Sequence, residues 1–154
     1  MKVGTHIEKL IPYVPGKPVE ELERELGIKS AVKLASNENP LGPSKKGINM
    51  MKKYINSLHR YPEGGCYYLA KKLSEKIKFP MENIMFGNGS NEILEIVGRT
   101  FYERGDEIIF SQYAFIVYKL VAQALGAKYY EVPAKGLAHN LDKMVEHITK
   151  KTKI

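Results

Sequence analysis

The stretch "MENIMFGNGSNEILEIVGRTF", residues 81–101, decides the fold. An apolar run, "NIMF" (83–86), reads as a short buried strand and meets two glycines and a serine in "GNGS" (87–90). Beyond the turn, Ile93, Ile96, Val97, Thr100 and Phe101 recur at the spacing of one helix face. Downstream the alternation continues. "DEIIFS" (106–111) is a strand, and a nearly all-round apolar helix follows from about Ala114 to Leu125, stopped by Gly126. "AKYYEVP" (127–133) is a further strand. Leu141, Met144, Val145 and Ile148 mark a helix capped by Asn140, and "KTKI" (151–154) starts a fourth strand. Strands alternating with helices predict a mostly parallel sheet with right-handed crossovers, an open α/β fold.

Upstream, the pattern changes. The first 44 residues contain Pro12, Pro15, Pro18, Pro40 and Pro43, with a helical pattern in "PVEELERELG" (18–27) and a short strand in "VKLA" (32–35). Prolines so spaced exclude long helices and central strands, so residues 1–44 read as an arm lying on something else. Ile48, Met51, Ile55 and Leu58 then form an apolar helix stripe closed by Pro62, and Cys66, Leu69, Ala70, Leu73 and Ile77 form another closed by Pro80.

Composition narrows the function classes. With 154 residues, 44% hydrophobic and 27% charged, the chain has the make-up of a soluble globular protein of one-domain size. It has no apolar run of the ~20 residues a membrane span needs, and its start lacks the h-region of a secretory signal. Cys66 is the sole cysteine, so no internal disulfide and no CxxC metal site is expected. A cytoplasmic protein without membrane or metal partners follows as the expectation. The formal charge of +7 raises nucleic acid, but the lysines come in separated pairs on polar helix faces without interleaved aromatics. Nucleic acid is therefore not an expected partner.

In open α/β sheets ligands sit beyond the carboxyl ends of the strands, which is where "GNGS" falls. Gly87 and Gly89 permit positive φ and close approach, and Ser90 can cap the helix through its oxygen. The amides of Ser90, Asn91 and Glu92 would then face outward beside the positive end of the helix dipole, an anion site suited to phosphate. Residues 87–92 lack the third glycine of G-x-G-x-x-G and any G-K-[ST]. On this stretch alone, a capped turn without ligand and a non-catalytic phosphate- or nucleotide-binding α/β domain both stay open.

Five segments occur in order: "LASNENPLGPS" (34–44), "RYPEGGCYYLAKKL" (60–73), "NIMFGNGSNEILE" (83–95), "GDEIIFSQYAFIVYKLVAQALGA" (105–127) and "ITKKTKI" (148–154). Together they resemble histidinol-phosphate aminotransferases, fold-type-I enzymes that use pyridoxal 5'-phosphate. The resemblance implies residues 1–44 as arm and small-domain segment, and 45–154 as the first part of the large cofactor-binding domain. It implies cofactor binding by Gly89, Ser90 and Asn91, with Phe115 stacked on the pyridine ring and Tyr61 reaching the phosphate in the neighbouring subunit of a homodimer. Tyr13 and the Asn37-Glu38-Asn39 segment would line the substrate pocket, the arm and its tyrosine serving the other protomer. Asn91 stands where many relatives carry Asp, which leaves a backbone contact intact.

The implied substrates are histidinol phosphate and imidazole acetol phosphate, with glutamate and 2-oxoglutarate, in histidine biosynthesis. An aminotransferase for aromatic or other amino acids shares the same residues here. The family's Schiff-base lysine and the aspartate on the pyridine nitrogen are expected beyond Ile154, so no catalytic residue is assigned within this chain. The 154 residues alone are expected to be inactive, and to be marginally stable or to associate because "NIMF" pairs in the family with later strands. His59 and His139 match no family motif and read as surface or satisfied histidines, while Cys66 sits on an apolar helix stripe with no partner to activate a thiolate and reads as packing.

Overall fold

The computed structural model describes residues 2–13 and 16–154; Pro15 of the arm falls outside them. The described residues form two compact units, one of residues 2–13 with 85–154 and one of residues 16–84.

The first unit carries the sheet. Its elements are α5 (Ser90–Phe101), β1 (Glu107–Ser111), α6 (Val117–Leu125), β2 (Lys128–Val132) and α7 (Leu141–Glu146), preceded by the short α1 (Thr5–Glu8). The parallel pair β1–β2 runs in register from Glu107 opposite Lys128 to Ser111 opposite Val132. On the other edge of β1, Glu107 donates its N–H to the Lys151 carbonyl and accepts from Lys153 N–H, both at 2.9 Å. Thr152 thereby pairs with Glu107 in parallel, so "KTKI" does start along the sheet and β1 lies between two neighbours. The crossover β1–α6–β2 is the unit that parallel pairing demands.

Small residues let the helix close on the sheet. Ile108, Ala122 and Ala127 are buried together, with Tyr102, Phe110 and Tyr129 packed against them. Phe110 stacks between Tyr129 and Tyr118, with centroids 5.6 and 6.1 Å away. Gly126, at φ 74°, ends α6 as its sequence position suggests, and Asn140 caps α7 by accepting from Lys143 N–H at 3.3 Å. Glu107 is only 5% exposed. Its carboxylate accepts from the hydroxyls of Thr149 at 2.6 Å and Tyr130 at 3.4 Å, which offsets part of its desolvation.

The second unit contains α2 (Val19–Leu26), α3 (Lys45–Tyr54) with a 3-10 turn over Ile55–Ser57, and α4 (Tyr67–Ile77). Ser44 caps α3, its hydroxyl accepting from Gly47 N–H at 3.4 Å. Cys66 sits just before α4 at φ 52° rather than on its stripe.

Four expectations about the existence or bounds of elements need correction. "VKLA" is not a strand: Val32 and Leu34 are 83% and 91% exposed, and the adjoining Ala31 N–H is taken by the Glu23 carboxylate at 2.8 Å. "NIMF" is not a strand either. Asn83 closes a 3-10 turn and Ile84 is extended (φ −111°, ψ 124°), but no described residue pairs with 84–86, and a strand exists only through its ladder. α6 begins at Val117, not near Ala114, because Tyr113 takes φ 65° in a turn at 112–113 and residues 114–115 have no regular structure. α7 ends at Glu146, leaving Ile148 60% exposed beyond it.

α5 packs on α6 through Gly98, which is buried. A Cβ there would lie 2.4 Å from Val121 Cγ1, 3.1 Å from Leu125 Cδ1 and 3.3 Å from Tyr102 Cδ2. Alanine would gain about 1 kcal/mol of helix propensity but overpack a contact against a stiff β-branched side chain, at about 1–3 kcal/mol. Gly98→Ala is therefore expected to destabilise the chain by about 1 kcal/mol in urea unfolding. An unchanged or higher midpoint would contradict the packing.

Candidate functional site

The site is built at the head of α5. After residues 84–86, the Gly87 carbonyl accepts from Gly89 N–H at 2.9 Å, a tight reversal. Gly89 takes φ 83° and ψ 176°, a region essentially closed to residues with a Cβ. Gly87 acts differently. A Cβ there would sit 2.9 Å from Ile93 Cδ1 and 3.0 Å from Glu92 Oε2, so its lack of a side chain admits both groups.

Gly89, not Ser90, is the N-cap, and no side chain caps the helix. Ser90 is the first helical residue, which corrects the expectation that its oxygen would cap. The consequence favours a ligand more than a side-chain cap would. Ile93 N–H reaches the Gly89 carbonyl at 3.5 Å, while the N–H groups of Ser90, Asn91 and Glu92 find no acceptor among the described residues. No heavy atom outside the adjoining residues lies within 4 Å of where a Gly89 Cβ would point, so the corner is open. Unmatched amides, an open approach and a twelve-residue helix behind them suit a bound phosphate. The glycine cradle therefore fits the phosphate of pyridoxal 5'-phosphate.

Glu92 has a role that the sequence pattern did not indicate. Its carboxylate accepts from the Asn88 backbone N–H at 2.5 Å and from Asn88 Nδ2 at 3.1 Å. The usual capping-box signature requires Ser or Thr at the N-cap, and here glycine holds that position.

Tyr13 and Asn91 come together. They line a cavity of about 350 Å³ with Leu10, Leu120, Val121 and Arg99. Arg99 donates through Nε (2.9 Å) and Nη2 (2.7 Å) to Glu95 Oε1 one turn earlier, a pair more than half exposed. Phe115 lies in the connection between β1 and α6, 45% exposed. A second cavity of about 210 Å³ runs along β1 from Ile108 to Ser111 and is edged by Tyr102, Tyr118 and His139. Burial, followed by the proximity of Tyr118, pushes the Tyr102 hydroxyl above the usual tyrosine range.

The remaining expected residues belong to the second unit. Tyr61 is fully exposed. Asn37 and Glu38 are exposed, and Glu38 pairs with Lys33 at 3.1 Å. Asn39 is committed to its own turn, accepting from Leu41 N–H at 3.1 Å and donating to the Gly42 carbonyl at 2.9 Å.

Comparison with known proteins gives a consistent result. The sequence model of the aminotransferase class I and II family matches residues 29–154. Histidinol-phosphate aminotransferase 1 of Idiomarina loihiensis is 49% identical over 152 residues, covering 99% of this chain and 41% of that protein. Histidinol-phosphate aminotransferase 2 of Hydrogenovibrio crunogenus is 48% identical over 153 residues, covering 99% and 41%. The chain thus spans about two fifths of the length of these curated relatives. Among solved structures, the Sinorhizobium meliloti histidinol-phosphate aminotransferase in complex with pyridoxal-5'-phosphate matches with a TM-score of 0.83 at 21% identity. That match covers 97% of this chain and 40% of that one, and it establishes the shared fold-type-I architecture.

Gly89→Ala is expected to cost about 1–3 kcal/mol in urea unfolding, because alanine cannot hold the Gly89 backbone without strain. Gly64→Ala is the control: a Cβ there meets nothing within 4 Å and φ lies outside the left-handed region. The control should stay within about 0.5 kcal/mol of the parent. Equal effects at both positions would contradict the corner's geometry.

Proposed function

Because the chain belongs to the class I and II aminotransferases, we propose that it forms the amino-terminal portion of a histidinol-phosphate aminotransferase. The reaction exchanges an amino group between histidinol phosphate and 2-oxoglutarate, giving imidazole acetol phosphate and glutamate, in histidine biosynthesis in the cytoplasm. When bound, pyridoxal 5'-phosphate supplies the electron sink for this chemistry. Identities of 48–49% across nearly the whole chain support the substrate assignment.

The observation that carries the site is the open, glycine-shaped corner at Gly89 with its unmatched amides. Backbone N–H groups of Ser90 and Asn91 hold the phosphate, and Gly89 keeps the approach clear. Phe115 places its ring against the pyridine face. Tyr13, Asn37 and Glu38 contact substrate. Tyr61 reaches the cofactor phosphate of the neighbouring subunit in a homodimer, which makes its full exposure in one chain the state expected before pairing. Residues 1–44 serve as arm and small-domain segment, and 45–154 as the start of the large domain. No lysine of this chain lies in the family's Schiff-base motif, so these residues bind and orient rather than exchange protons.

A protein joining this chain to the family's lysine segment is expected to bind pyridoxal 5'-phosphate with a band near ~400 nm that borohydride removes, and to turn over histidinol phosphate with 2-oxoglutarate. The 154 residues alone should do neither. Turnover of only aromatic amino acids by the joined protein would overturn the substrate assignment. Absence of the band would overturn the cofactor assignment.

A further inference from the structure

Glu92 presents an electrostatic puzzle. The head of α5 is read above as a phosphate site, yet a carboxylate stands in its first turn. Like charges close together repel, and a partly exposed pair is screened but not silenced. A helix dipole alone explains an acid at this position in a protein without a ligand. It does not explain where the carboxylate goes. Glu92 turns back along the chain and accepts from both the backbone N–H and the side-chain amide of Asn88. Gly87 makes room for this, since a Cβ there would lie 3.0 Å from the same Oε2.

The position of Asn88 gives the clasp its meaning. It is the middle residue of the reversal closed between the Gly87 carbonyl and Gly89 N–H. Fixing its peptide fixes the orientation of Gly89, and Gly89 sets where the first amides of α5 point. Glu92 also takes up the Asn88 N–H, which leaves the Ser90, Asn91 and Glu92 amides as the donors without acceptors among the described residues.

We propose that Glu92 is a positioning residue for the phosphate corner: it holds the Asn88 peptide and so keeps the Ser90 and Asn91 amides arranged for an anion. This inference rests on the phosphate reading of the Gly89–Asn91 corner. Glu92 touches no reacting atom. Its charge opposes the phosphate, while its hydrogen bonds pre-organise the site, and the second effect outweighs the first. The balance makes the two obvious substitutions differ in direction. Glu92→Gln keeps an oxygen acceptor for Asn88 N–H and removes the repulsion. Glu92→Ala removes both.

The test uses the 15N-labelled chain titrated with pyridoxamine 5'-phosphate, which carries the phosphate but no aldehyde to condense with surface lysines. Pyridoxamine is the control without phosphate. Amide shifts of Ser90 and Asn91 report binding, and exchange of the Asn88 amide reports the clasp independently of any ligand. Glu92→Ala is expected to weaken binding about 3–10-fold, as a site populated only part of the time loses affinity by that fraction. Glu92→Gln is expected to bind as tightly as the parent or more tightly. Asn88 exchange should quicken about tenfold in the alanine variant and stay near the parent rate in the glutamine variant.

If both variants tighten binding equally, Glu92 acts only as a repelling charge and the proposal is wrong. If neither changes affinity while thermal stability falls, Glu92 is only a helix-end charge and the proposal is again wrong. If the parent chain shows no phosphate-dependent shift at Ser90 and Asn91, the phosphate reading fails by itself. Asn88 exchange then decides the clasp alone, and an unchanged rate in Glu92→Ala overturns it.

Discussion

The backbone of Gly89 is the constraint on which the account depends. Its φ of 83° with ψ of 176° directs the chain into α5 with no side chain over the helix end. Three amides at the exposed helix head thereby find no acceptor among the described residues and stay open to solvent or an anion. A serine cap, as the sequence suggested, would have satisfied one of them internally. The structure instead uses glycine for the cap and assigns the serine its own free N–H. This arrangement costs some intrinsic helix stability and leaves a preformed place for negative charge.

Behind that corner, the sheet supplies rigidity. β1 is bonded on both edges, to β2 and to Lys151–Ile154, and Glu107 ties its start to Thr149 and Tyr130 through a buried carboxylate. α6 lies close to the sheet because Ala122 and Ala127 are small, and α5 lies close to α6 because residue 98 is glycine. Each contact is short and local. Together they fix the axis of α5, and the direction of its amides follows from that axis.

Much of this was legible in the sequence because the signals are periodic. The alternation of β1, α6, β2 and α7 came from runs of apolar residues punctuated by Gly126 and Asn140, both of which perform the roles read for them. Signals that depend on a partner were not legible. "NIMF" has the composition of a strand, but composition does not form a ladder, and residues 84–86 pair with no described residue. Likewise Met51, Ile55 and Leu58 recur as an apolar helix stripe in the sequence, yet these side chains are 64%, 60% and 75% exposed. Periodicity shows that a face is apolar; it does not say what covers it. At the site, the glycines and the open amides were readable from "GNGS". The Glu92 contact to Asn88 was not, since it depends on a side-chain rotamer and on the space left by Gly87.

The most direct test of the central claim is a crystal structure of the protein with pyridoxal 5'-phosphate bound. The account expects phosphate oxygens about 3 Å from the backbone nitrogens of both Ser90 and Asn91, with the Gly89 backbone unchanged. A cofactor seated elsewhere, with the Gly89–Asn91 corner holding no phosphate, would contradict it.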